Sequence, residues 1–165
     1  MKKFFLAFLP FLLYASVIDD YKEKKYDKIC VSKNLNTSDE KILSLVGISC
    51  VKSDKLYLLP FIINKLKKTR LGRTNSVYFS TIVLQKKLLY GFLFDGFSIK
   101  GFSFPKGDYI LSVVFDNIKK GNYIFENGIY IINLSQKIIY FYKNGDKMII
   151  DEYKNGKLIS SKWFR

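Results

Sequence analysis

Histidine is missing from this 165-residue chain, and cysteine, tryptophan, proline and arginine are scarce: two Cys, one Trp, three Pro and three Arg. Without histidine there is no Ser–His or Cys–His couple, no H-E-x-x-H zinc site, and no imidazole to serve as acid, base or metal ligand. Two cysteines cannot build a four-cysteine metal site, and Cys30 and Cys50 lack the C-x-x-C spacing. Neither a metal nor another cofactor is expected. Carboxylates are the chemistry that remains. Asp19-Asp20 and Asp39-Glu40 stand at helix starts, where capping accounts for them, and Asp151-Glu152 are strand neighbours that face opposite sides of a sheet. The chain therefore reads as non-catalytic. The alternative is a small periplasmic hydrolase that brings distant carboxylates together around a cell-wall substrate.

What the chain does have is apolar bulk and positive charge. It is 48% hydrophobic and 25% charged, so it can bury a core and is not a disordered tail. The formal charge is +14, and 25 of the 28 basic residues are Lys. Lys, Asn, Ile, Phe and Tyr make up 81 of the 165 residues, all of them types with A/T-rich codons. Part of the excess charge is thus genome composition and solubility. Phosphate-gripping proteins also tend to use Arg, for its bidentate fork.

The amino terminus reads as an address. Met1-Lys2-Lys3 is a positive n-region, Phe4 to Tyr14 is an apolar run interrupted by Pro10, and Ala15-Ser16 supplies small residues before Asp19-Asp20. That order predicts a Sec-type signal peptide over residues 1–16, with the uncleaved helix as an anchor in the alternative. The run is shorter than the ~20 residues of a spanning helix. The body is then expected in the periplasm, and loss of Lys2 and Lys3 would leave a charge of +12.

Export favours a disulfide between Cys30 and Cys50. Geometry opposes it. If each cysteine ended one helix of an antiparallel hairpin, they would lie about 13 Å apart along it at roughly 1.5 Å per residue, beyond the ~7 Å limit between Cα atoms. A bridge needs a short or displaced first helix; otherwise both are buried thiols.

The periodicity predicts an α+β chain with helices first and strands after. A charged helix covers Asp19 to Lys33, and a second follows a Thr37/Glu40 capping box. A third is capped by Ser53-Asp54, with Leu56, Leu59, Ile62, Ile63 and Leu66 on one stripe and Pro60 as a kink or as its true start. A long helix capped by Thr74 runs to about Phe94, carrying Tyr78, Ile82, Leu89 and Phe92 on one face. Gly96 to Gly107 is a loop whose Phe97, Phe102 and Phe104 are expected to fold over the core, with an exposed sticky contact as the alternative. A last helix from Asp108 stops at Lys119-Lys120-Gly121. Asn127-Gly128, Asn144-Gly145 and Asn155-Gly156 then signal tight hairpins among Ile- and Tyr-rich runs, which predicts a four- or five-stranded antiparallel meander with one wet face. The expected organisation is a helical region over 17–95 packed as one unit with a helix-plus-meander region over 96–165.

With Gly47 in one helix, the Ser53-Asp54 turn and the Leu-rich helix that follows, residues 39–68 resemble a tetratricopeptide (TPR/Sel1-like) helical hairpin, with residues 21–31 as the tail of a preceding unit. The resemblance covers residues 21–68 and implies protein–protein contact. Pro60 and the missing signature Trp depart from the repeat. The later helix and meander are similar in outline to cystatin-like or NTF2-like folds, which carries no function.

One segment stands out for what it omits. From Lys55 to Phe94 there are eight basic residues and no Asp or Glu. Lys65, Lys67, Lys68, Arg70 and Arg73 crowd a turn, and Thr74 would open a helix whose first N–H groups face an anion. The functional expectation is contact with an envelope protein or an anionic envelope component, with membrane contact at most peripheral and no nucleic acid. The alternative is solvation and helix-dipole compensation, with Arg73 held by a carboxylate.

Overall fold

The computed structural model describes residues 9–165, so the positive n-region and the start of the expected signal peptide lie outside the described residues. Helix α1 (Leu9–Lys22) runs through the expected cleavage region at Ala15-Ser16. Among the described residues no helix is long and apolar enough to cross a membrane. Two compact units divide the chain, one ending at Ser80 and the other beginning at Thr81.

In the first unit, the helix expected over Asp19 to Lys33 is broken. α1 stops at Lys22, α2 is the single turn Tyr26–Ile29, and a 3-10 turn covers Ser32–Asn36. The break is a Schellman motif: Lys24 takes φ 58°, Lys24 N–H donates to Tyr21 O and Lys25 N–H to Asp20 O. Glycine usually fills that left-handed position, and here a lysine does. α3 (Glu40–Lys52) ends in the same way, with Asp54 at φ 58° and Lys55 N–H on Cys50 O. Asp54 therefore terminates α3 instead of capping the next helix. After a 3-10 turn at Leu56–Leu58 comes α4 (Leu59–Ile63), with Pro60 in its first turn. Pro60 marks the start of that helix, where its missing N–H costs nothing.

The break explains the disulfide. Because α2 is so short, Cys30 sits just past its end while Cys50 lies in the last turn of α3, and their Cα atoms are 4.9 Å apart. The bridge forms, and both cysteines are buried.

α5 (Arg70–Asp95) is continuous. Within the first unit it buries Phe79, whose ring lies against Gly47 of α3; a Cβ at Gly47 would come 2.3 Å from Phe79 Cε2. Its second half buries Ile82, Gln85, Leu88 and Leu89, while Leu84 is exposed.

In the second unit the loop after α5 is mixed. Ile99 is buried and Phe104 packs edge-on against Phe115, but Phe97 is exposed. α6 (Ile110–Lys120) buries Ile110, Leu111, Val114, Phe115 and Ile118, and Gly121 closes it in the left-handed conformation. Five antiparallel strands follow in sequence order: β1 (Ile124–Glu126), β2 (Ile129–Asn133), β3 (Ile138–Asn144), β4 (Lys147–Lys154) and β5 (Lys157–Phe164). Their inner face carries Ile132, Ile139, Phe141, Met148, Ile150 and Phe164, all buried. Asn127-Gly128 and Asn155-Gly156 both adopt positive φ, as type I′ turns require. At the third signal the register pairs Asn144 with Lys147, so the two-residue loop is Gly145-Asp146.

Candidate functional site: the basic turn of the helical unit

The turn between α4 and α5 contains an anion site, and the chain fills it with its own carboxylate. Glu40, in the first turn of α3, is only 5% exposed. One of its oxygens accepts from the N–H groups of Lys67 and Lys68, each at 2.6 Å. The other accepts from Thr69 N–H at 2.7 Å and from the Thr69 hydroxyl. These donors hold the Glu40 carboxyl down to about 2, the Thr69 hydroxyl first and the Lys68 N–H next, against the opposing effect of burial.

This arrangement corrects two expectations. Glu40 does not close a capping box on Thr37. Asp39 is the cap of α3, accepting from Lys41 N–H at 2.7 Å, and the freed Glu40 crosses to the distant turn. Thr74 is not the cap of α5 either. Thr69 fills that role, its hydroxyl accepting from Gly72 N–H at 2.9 Å. Thr74 lies one turn inside the helix and donates to Arg70 O, so its own N–H belongs to the helix and faces no anion. Gly72 is required by closeness: a Cβ there would lie 2.3 Å from Glu40 Oε2.

The basic side chains divide by task. Lys65 Nζ donates to Leu35 O at 2.6 Å and ties down the 3-10 turn. Arg73 Nη1 donates to Lys68 O at 2.8 Å and Lys67 O at 3.2 Å, so backbone carbonyls hold it where a carboxylate was the expected alternative. Lys67, Lys68 and Arg70 are exposed, and among the described residues no carboxylate pairs with them. Beside them in sequence are exposed apolar side chains, with Tyr57 and Phe61 at 67% and 60% and Leu71 also exposed. The segment from Tyr57 to Arg73 thus carries three cations that no described carboxylate pairs and, in the same stretch of sequence, exposed aromatic and aliphatic groups. Farther along the acid-free run, burial and the neighbouring Lys87 push the Lys86 ammonium down.

Elsewhere, Asp151 and Glu152 face opposite sides of the sheet and take different partners, the Tyr142 hydroxyl and the Lys137 ammonium. Among the described residues no three metal-ligating side chains cluster. The Glu40 nest was invisible to sequence reasoning because local capping explained the same acid equally well. Compared with protein-family models, curated proteins and solved structures, the chain matches none.

Proposed function

We propose that this protein is an exported, non-catalytic interaction module of the cell envelope, which uses its helical unit to hold an anionic envelope surface. One observation carries the reading: Lys67, Lys68 and Arg70 are exposed and unpaired by any described carboxylate, in a stretch that contains no acid. Tyr57, Phe61 and Leu71 add apolar groups of the kind that settle into an interface between water and lipid or polymer. The likeness of residues 21–68 to helical repeats that mediate contacts supports the same class of role. Lys65, Arg73 and Thr74 are supports of the turn, and Glu40 already takes the backbone donors, so the partner is met by side-chain cations.

The experiment follows from that division. Changing Lys67, Lys68 and Arg70 together to Gln, with Lys65 and Arg73 kept, leaves the turn's own bonds intact. On vesicles of phosphatidylglycerol and phosphatidylcholine at low salt, wild-type protein is retained and is released at high salt. Each cation near such a surface contributes about 1 kcal/mol, so the triple variant binds roughly a hundred-fold more weakly. Retention equal to wild type would leave the basic turn as solvation alone.

A further inference from the structure

The outer face of the sheet is expected to be wet, but its composition is aromatic and aliphatic. The register sets Ile131, Tyr140, Asp151 and Ser161 in one row across β2–β5, and Ile129, Tyr142, Ile149 and Trp163 in the next. Tyr153, two residues along from Asp151 on the same face, meets Tyr140 with ring centroids 5.0 Å apart. Most of these side chains are half-buried, and Trp163 is 57% exposed. One carboxylate lies in their midst. Asp151 is 8% exposed, and its Oδ2 accepts from the Tyr142 hydroxyl at 2.9 Å. Its Oδ1 is buried and has no hydrogen-bond partner among the described residues.

A buried carboxylate oxygen left open is costly, since its lost hydration is not replaced. Tyr142 does not resolve this by giving up its proton. Burial and the bond to Asp151 push the phenol up to about 12, so it stays a neutral donor. A protein of net charge +14 has cations in abundance, yet among the described residues none is paired with Asp151. The rings of this face do accept cations. Lys147 Nζ stands 4.5 Å from the centroid of Trp163, next to the Asp151 row.

We propose that the outer face of β2–β5 is a docking site for a lysine side chain of a partner polypeptide. The Tyr140 and Tyr153 rings, which touch in the unbound protein, part to let the ammonium reach Asp151, and the alkyl stem lies along Ile131 and Ile149. Charge complementarity selects this occupant. A neutral ligand would leave the Asp151 charge uncompensated, and an anion would be repelled by it. The face lies wholly in the second unit and is independent of the basic turn.

Trp163 is the single tryptophan of the chain, so its fluorescence reports on this face directly. The full chain is titrated with the peptide acetyl-Gly-Lys-Gly-amide and, as the neutral control, acetyl-Gly-Gln-Gly-amide. The lysine peptide is expected to give a saturable change in the millimolar range, and the glutamine peptide none. Asp151→Asn keeps the side chain's size and should weaken the lysine response roughly ten-fold; Tyr140→Leu should weaken it through loss of the ring, and Glu126→Gln at the rim should leave it unchanged. No saturable response in wild type overturns the proposal. So does equal binding of the two peptides, or a response undiminished in both Asp151→Asn and Tyr140→Leu. A Trp163 response to a neutral oligosaccharide but not to the lysine peptide would assign the face to sugar and overturn it as well.

Discussion

The two units achieve order by opposite means. The sheet unit is built from neighbours in sequence: each strand pairs with the next through a short turn, and one bulge, opposite Glu152 and Tyr153, shifts the register of β4 with β5. The helical unit depends on ties between remote segments. Cys30 is bridged to Cys50, Glu40 binds the backbone of Lys67 to Thr69, and Lys65 reaches back to Leu35. Its helices are short, and two of them end on residues in a left-handed conformation that favours glycine. A meander with good turns needs few such ties, because each hairpin closes a small loop. A set of one- to four-turn helices cannot stand without them.

This contrast is most directly broken at the disulfide. Changing Cys30 and Cys50 to Ala removes a cross-link over a 20-residue separation, which in the chain-entropy view contributes roughly 3 kcal/mol. Amide hydrogen exchange should accelerate across α2 and α3, while β2 to β5 keep their protection. Equal loss in both units would show that the bridge does not serve the helical unit in particular.

A second test uses acid. The Glu40 carboxyl is lowered in the folded chain to about 2 from an ordinary 4.5, so its contribution is complete above about pH 4.5 and is lost as the pH falls toward 2. The melting temperature of the wild-type helical unit should drop through that window, and Glu40→Gln should flatten the acid limb while lowering the plateau near neutral pH. An acid limb identical in the two proteins would remove Glu40 as the cause.

The smallest effect sharpens the comparison instead of breaking it. Lys24 holds φ 58° at the end of α1, a conformation that costs a side-chain-bearing residue about 1 kcal/mol. Lys24→Gly should therefore raise the stability of the helical unit slightly in a urea titration. The same replacement at Lys143, inside β3, should lower stability instead. A loss at Lys24 would mean that its side chain contributes more than its backbone conformation costs.

Legibility followed the same division. The Asn-Gly pairs and the Ile- and Tyr-rich runs between them announced the hairpins of β2 to β5, and the 3.6-residue period located α6. β1, only three residues long, carried too little pattern to be placed in advance. In the helical unit the periodicity at Asp19 to Lys33 suggested one helix where the chain makes two, because the stop is a conformation adopted by Lys24 and no glycine announces it. Gly121, which ends α6 by the same motif, was plain. At the basic turn the cations were visible as a run without acids, but their division into supports and free charges was not. Whether Arg73 meets a carbonyl or a carboxylate depends on how the backbone of Lys67 and Lys68 turns toward it.

By itself the sequence determined the class of fold, the hairpins and the crowding of positive charge, since these rest on local sterics, on periodicity and on composition. Only the tertiary structure decided that Cys30 meets Cys50, that Glu40 fills the anion site of a helix 30 residues away, and that Asp151 stands among rings with one oxygen open. Each of those depends on side chains from separate elements arriving at one point, and no local preference encodes such a meeting.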